Sequence, residues 1–389
     1  MKILSGVHVI DLGSYISAPY AAMLLGELGA DVVKVERPES TDPSRNHKVN
    51  GNSPVFFAFN RNKRGLALDF TVPDGQAVLQ KILSNSDVMI INVRPGVEKK
   101  LGLDADSLRV INPRLITCNI TGFGATGPYA KRPAYDNVGM AMSGLLSRFH
   151  QGEDPKVYGP AISDSVTGMH ACMGILAALF EREKTGVGRH VEVNLMESMI
   201  SLAIEPLTDY LLSGHDQPFY YRGGMSQAYI LTCKDGLRIG VHISNQNKFW
   251  NALTEAIDRK DLAVKYAEPT IRIQQYEEIS KELAKIFVSR NRSDWLPLLE
   301  ANDVPFGPER SLNEIETDPQ IIHLKTFQEV DPELFGSSRI PNRPIRFDGD
   351  NQSNFRSAPK VGADTEAILH ELGFDIKTIS KLRDKSIIN

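Results

Sequence analysis

The chain is poor in cysteine: three in 389 residues, Cys118, Cys172 and Cys233, with no CxxC among them. That excludes a disulfide framework and offers no zinc motif. Each cysteine lies in an apolar segment, where a buried, inert thiol is the ordinary state. Charge of one sign is lacking as well. With 44 Lys and Arg against 48 Asp and Glu, the net charge of -4 gives no electrostatic draw toward nucleic acid or anionic lipid. No run approaches the ~18 consecutive apolar residues of a membrane span. The apolar opening, MKILSGVHVIDLG, is broken by Asp11 and is too short for a signal peptide. There is no P-loop, so ATP chemistry has no support, and no internal repeat. What is left is an ordinary globular composition, 41% hydrophobic and 24% charged. A chain of this length exceeds one compact core, so two domains in a cytoplasmic protein are expected.

Strand and helix signals alternate through the first half. VHVIDL (7–12), DVVKVE (31–36), LALDF (66–70), DVMIINV (87–93) and LITCNIT (115–121) read as strands. Helical patterns lie between them, over 21–28 and 75–84. The segment 135–150 and a long apolar helix ending in the strand VEVNL continue the series. Short Val/Ile/Leu strands separated by helices predict an α/β fold with a Rossmann-like open parallel sheet covered on both faces. The texture changes near residue 200. YILTC and LRIGVHI flank Lys234-Asp235-Gly236, a hairpin turn signal, and helical stretches follow at 274–288 and 293–300. The expected organisation is a large domain from 1–200, a linker at 201–221, a smaller α/β domain at 222–318, and a returning linker with terminal helices over 319–389.

The most informative stretch is PAISDSVTGMHACMGILAALFEREKTGVGRHVEVNLME (160–197), which puts Asp164 where a loop becomes a helix. There the unpaired N–H groups and the helix dipole favour an ionised carboxylate and could stabilise charge developing beside it. A nucleophile suits that place, and so does a plain N-cap, for which Asp is a preferred residue. Two other motifs are weaker. Gly122-Phe123-Gly124-Ala125-Thr126-Gly127 matches GxGxxG but follows the fifth strand, is closed by Pro128, and has no acid about 20 residues on; it reads as a turn at the carboxyl end of a strand, and a nicotinamide cofactor is not indicated. Arg61-Asn62-Lys63-Arg64-Gly65 is a basic cluster just before a strand, and Arg37, Arg94 and Lys100 follow strands. On one side of one sheet these would form an anion-binding rim.

Taken in order, the segments GADVVKVERP (29–38), RNKRGLALDF (61–70), DVMIINVRPG (87–96), INPRLITCNITGFGATGPY (111–129), AYDNV (134–138) and 163–197 resemble a family III CoA-transferase, the group that includes formyl-CoA transferase. VPFGP (304–308) and the terminal LHELG extend the resemblance over almost the whole chain. It implies transfer of CoA from an acyl-CoA to a free carboxylic acid through Asp164, with no tightly bound cofactor and no metal, coenzyme A entering only as substrate. It also implies that Asp136 and Tyr135 stand beside the nucleophile, and that Ile16, Arg37, Leu68, Asn92 and Lys100 contact the CoA. Gly223-Gly224 would be what remains of a glycine-rich substrate loop. Ile16-Ser17-Ala18-Pro19 replaces the Gln-Ala-Gly-Pro of formyl-CoA transferase, so an acceptor other than oxalate, a short carboxylate or dicarboxylate, is expected. Ser17, Tyr135, Tyr220, Tyr221 and Arg222 are candidates for shaping its pocket. The family implies an interlocked homodimer. The alternative is a 2-methylacyl-CoA racemase of the same superfamily, but that enzyme places His where this chain has Tyr135, and a phenol with a pKa of about 10 is a poor base near neutrality. A non-catalytic acyl-CoA-binding protein is the further alternative, separated from both by the effect of removing Asp164.

Overall fold

Strands that are apolar along their whole length need cover on both faces. Val88, Met89, Ile90 and Ile91 are all essentially inaccessible, and successive side chains alternate between two cores. Val9, Val32, Val88 and Ile90 point into one, with Ala18, Ala22, Ala171 and Ile175; Ile10, Val33, Met89 and Ile91 point into the other, with Leu79, Ile82, Ile368 and Leu382. The computed structural model describes residues 3–49, 51–149, 156–157, 159–329, 338–350 and 355–389. The chain forms two compact units, Met1–Leu207 with Lys325–Asn389, and Thr208–Leu324.

The first unit holds a six-stranded sheet, β1 (His8–Asp11), β2 (Asp31–Glu36), β3 (Lys63–Ala67), β4 (Val88–Ile91), β5 (Ile116–Thr121) and β6 (His190–Asn194). All neighbours are parallel, in the order β3-β2-β1-β4-β5-β6. Helices Ser17–Glu27 and Ile162–Thr185 cover one face. Pro73–Ser84 and the terminal helices Thr365–Glu371 and Ile376–Asp384 cover the other. This is the expected α/β, Rossmann-like open sheet. Helix Ile162–Thr185 is long and apolar enough to cross a membrane by composition, but its Ala171, Ile175 and Ala178 are packed in the sheet's core.

The second unit has an antiparallel sheet of β7 (Ala228–Thr232), β8 (Arg238–His242) and β9 (Phe306–Pro308) around Trp250, Tyr266, Phe287 and Trp295. Gly236, at φ +78°, makes the expected hairpin turn between β7 and β8. All three cysteines are buried and unpaired.

Three expectations shift. The strand placed at 66–70 runs from Lys63 to Ala67, because Lys63 and Arg64 find acidic partners that let them enter the sheet. The helix placed at 21–28 begins at Ser17. The segment 135–150 is broken into the helix Asp136–Met142 and a short 3-10 turn, Leu145–Arg148, with Gly144 in the left-handed region between them; its last residue, 150, lies outside the described residues.

Candidate active site

In a sheet ordered β3-β2-β1-β4-β5-β6 the winding reverses between β1 and β4. The segments leaving their carboxyl ends part there and open a crevice. A cavity of about 220 Å³ sits at that point, lined by Tyr15 and Ser17 after β1, Asn92 and Arg94 after β4, and Tyr135 and Asp164. Arg132 also reaches it.

Asp164 is the third residue of helix Ile162–Thr185, whose N-cap, Ala161, has no side chain able to cap. The cap comes from another helix. Asp136 Oδ1 accepts the Asp164 backbone N–H at 3.0 Å and also takes the Ser163 N–H. Gly139 permits this approach, since a Cβ there would lie 2.5 Å from Ser163 Oγ and 2.8 Å from Leu195 Cβ. Burial raises the Asp164 pKa, the Asp136 carboxylate raises it further, and a hydrogen bond from the Ser17 hydroxyl opposes both; the result is about 6. Burial also raises Asp136, against the two N–H groups it accepts. A helix start alone would favour easy ionisation of Asp164. Asp136 occupies the N–H groups that would have provided it, so Asp164 is ionised at neutral pH but with less margin than the helix dipole predicts.

The loop after β1 brings Ser17 to Asp164. Gly168, one turn along from Asp164, allows contact: a Cβ there would lie 2.8 Å from the Ser17 carbonyl oxygen. Tyr15 in this loop has φ +62°, a conformation that costs a non-glycine residue and gathers at functional sites. Its ring meets that of Tyr135 edge-on, centroids 5.7 Å apart. The loop backbone is pinned throughout. Asp11 Oδ1 accepts from Gly13 N–H at 2.9 Å, Asn92 accepts from Ser14 N–H at 2.9 Å and donates to Ser14 C=O at 2.8 Å, and Asp42 Oδ1 accepts from Tyr15 N–H at 3.1 Å. Beneath it, fully buried Lys34 donates to Gly13 C=O and, at 3.0 Å, to Asp42 Oδ2. Fully buried Lys63 donates at 2.8 Å to each of Asp11, Asn60 and the Pro19 carbonyl. Burial pushes the Lys63 pKa down to about 8 against the pull of Asp11. For Lys34 the same penalty is outweighed by Asp11, Asp42 and Glu36, which leave its pKa raised.

This network corrects the reading of the basic cluster as part of an anion-binding rim. Arg61 pairs with Glu27, Lys63 with Asp11, and Arg64 with Asp31 and Glu371. The sequence did carry a signal for the network: Lys34 in the middle of DVVKVE and Asp11 closing VHVID are charges inside buried strands, which fold only if paired.

The remaining predicted residues are dispersed. Arg37 follows β2 and Lys100 ends the short helix Val97–Lys100 after β4, both at the carboxyl side of the sheet, but neither lines the cavity. Ile16 is the half-buried N-cap of helix Ser17–Glu27. The Leu68 side chain is fully buried in the sheet's core, so only its backbone could meet a ligand. Asn92 reaches the cavity, with its amide engaged by Ser14. Tyr135 is 62% exposed at the cavity's edge. Gly223 and Gly224 are not a loop. They lie in the helix Tyr221–Ser226 of the second unit, under Tyr276, whose hydroxyl would be 2.7 Å from a Cβ at 223.

An open parallel sheet with a cavity at its switch point is the architecture of an α/β protein that binds its ligand at the carboxyl ends of the strands. Comparison narrows the class. The family model for CoA-transferase family III matches residues 4–365, and the chain belongs to that family. It is 31% identical over 398 residues to succinyl-CoA:glutarate CoA-transferase of Mus musculus, covering 100% of this chain and 91% of the relative. It is 31% identical to the succinyl-CoA–L-malate CoA-transferase beta subunit of Chloroflexus aurantiacus, with 99% and 98% covered. Among solved structures, a CaiB/BaiF family protein from Brucella suis superposes with a TM-score of 0.81 at 31% identity, covering 95% of this chain and 99% of that one. The chain is an enzyme of the CoA-transferase class, working on CoA thioesters.

Proposed function

We propose that the enzyme exchanges CoA between an acyl-CoA and a short carboxylic acid through a covalent intermediate on Asp164. The observation that carries this reading is the carboxyl of Asp164 on the wall of the switch-point cavity, with a pKa of about 6. A carboxylate more basic than usual but ionised at neutral pH combines availability with nucleophilicity. Its oxygen attacks the thioester carbonyl, the C–S bond breaks, and a mixed anhydride and CoA thiolate result. The thiolate attacks the aspartyl carbonyl, the donor acid leaves as carboxylate, and an aspartyl-CoA thioester remains. The acceptor carboxylate then runs both steps in reverse. Every bond broken is replaced by one of similar energy, so no ATP, metal or redox group is consumed.

A dicarboxylate acceptor has the best support. The relatives' names carry succinate, glutarate and malate, and Arg94 and Arg132 bring positive charge to the same cavity. Tyr135, in place of the histidine that a racemase would use, weighs against α-proton exchange. Assembly as an interlocked homodimer belongs to the same reading, and a sedimentation mass of a single chain would exclude it. The decisive variant is Asp164→Ala: transfer is expected to vanish while CoA affinity stays within about threefold, as for a group that acts on the transition state rather than on binding. Full turnover by that variant would sink the proposal.

A further inference from the structure

The switch-point loop is built with more machinery than a connection needs. Tyr15 is held at φ +62° although its ring is 41% exposed and meets the Tyr135 ring only edge-on, at the rim of the cavity. What holds the backbone is electrostatic and lies underneath. Asp42, 4% exposed, accepts the Tyr15 N–H and is itself bound by Lys34, 0% exposed, which also binds the Gly13 carbonyl. A Ser44 hydroxyl and N–H complete Asp42's shell at 2.8 and 2.9 Å. From the opposite side Asn92 closes on Ser14 and comes within 3.4 Å of Ser17 Oγ, leaving the Ser17 proton directed at Asp164. Buried ion pairs are weak contributors to stability but hold geometry well.

We propose that Lys34 and Asp42 are positioning residues for the transfer reaction: they lock the left-handed turn at Tyr15 so that the Ser17 hydroxyl meets the Asp164 carboxylate. The proposal rests on Asp164 being the nucleophile. Ser17 donates to the carboxylate before attack and to the oxyanion formed on the aspartyl carbon when the thiolate adds. Neither Lys34 nor Asp42 touches substrate; both act through the loop.

The test compares Asp42→Asn with Ser17→Ala in the full-length protein. Both are expected to lower kcat by about tenfold to a hundredfold, the usual cost of a small misplacement of a reacting group, with KM for acyl-CoA within about threefold. Both are also expected to move the acid limb of the kcat–pH profile upward. Losing a donor to the carboxylate raises the Asp164 pKa further, so the active ionised form is lost at a higher pH. The other charged groups at the site, Asp136, Arg94 and Arg132, and the phenols of Tyr15 and Tyr135, are unchanged in both variants. Hydrogen exchange followed by peptide mass spectrometry is expected to be faster over residues 13–17 in Asp42→Asn and unchanged in β4 and β5. Faster exchange with an unmoved acid limb and wild-type kcat overturns the proposal, and so does unchanged exchange. If Asp42→Asn does not fold, Tyr15→Pro removes the same N–H and the left-handed turn while leaving the Lys34–Asp42 pair itself in place. Its acid limb is expected to rise likewise, and an unmoved limb overturns the proposal. Full activity of Asp164→Asn would defeat the nucleophile reading instead, while leaving the exchange result to stand by itself.

Discussion

Replacing Asp164 by asparagine is expected to stabilise the folded protein while ending transfer. Its carboxyl titrates near 6 in the fold and near 3.9 in an unfolded chain. A raised carboxyl pKa means that the folded state holds the proton more tightly than the unfolded state. Stability therefore falls as pH climbs from about 4 to about 6, and the whole cost is present above that. Two pH units correspond to about 3 kcal/mol at most. Asp164 is only half-buried, and solvent screening brings the figure to about 1–2 kcal/mol. Asparagine keeps nearly the same volume and an oxygen able to accept the Ser17 hydroxyl, so little else changes. At roughly 2–4 °C per kcal/mol for a domain of this size, the variant should melt a few degrees higher near pH 8. Below about pH 3 the carboxyl is largely protonated in both the folded and the unfolded state, and the gain should shrink toward zero. Thermal denaturation of both proteins at the two pH values reads this directly. A variant that melts no higher at pH 8, or gains equally at both, would show that burial and Asp136 do not set the carboxyl's charge state.

Other substitutions probe the scaffold. Gly168→Ala drives a Cβ toward the Ser17 carbonyl and Tyr20, so it should cost about 1–3 kcal/mol by overpacking and lower kcat by displacing Ser17; a fully stable, fully active variant would contradict that close approach. Lys63→Met leaves Asp11 with the Gly13 N–H and, 3.8 Å away, Lys34 as its remaining cation among the described residues, and should destabilise by about 3–5 kcal/mol, as loss of one partner from a buried pair does; denaturant titration checks it. Arg37→Ala, beside the carboxyl end of β2, should raise KM for acyl-CoA and leave kcat within about twofold, as expected for a group that binds substrate and transition state alike; an unchanged KM would remove Arg37 from the nucleotide's path.

Some of this was legible from the residues alone. Continuous Val/Ile runs in β2 and β4 announced a sheet buried on both faces, and the loop-to-helix step at Asp164 announced the acid at the cavity. The Asp235-Gly236 hairpin was equally plain, because each of these signals is local. The network beneath the loop was not found, because Asp11, Lys34, Asp42 and Lys63 come from distant parts of the chain. They meet only once β1, β2 and β3 are side by side. Asp136 had the same problem: its role as the external cap of the Asp164 helix depends on Gly139 letting two helices close to contact. The RNKR cluster misled because a run of positive charge is usually solvated. Here four acids on four different elements, Glu27, Asp11, Asp31 and Glu371, draw it into the structure. Gly223-Gly224 differs for another reason: the resemblance implies the remnant of a glycine-rich loop, whereas here Tyr276 packs onto a helical turn that holds both glycines.

The claim at the centre is that Asp164 becomes covalently attached to CoA. Intact-protein mass spectrometry after mixing with succinyl-, acetyl- and formyl-CoA, followed by peptide mapping, tests it most directly. A CoA-sized adduct is expected on the peptide containing Asp164, discharged by hydroxylamine and absent from Asp164→Asn. A protein that turns over these donors with no adduct on that peptide, or with one on another residue, would contradict it.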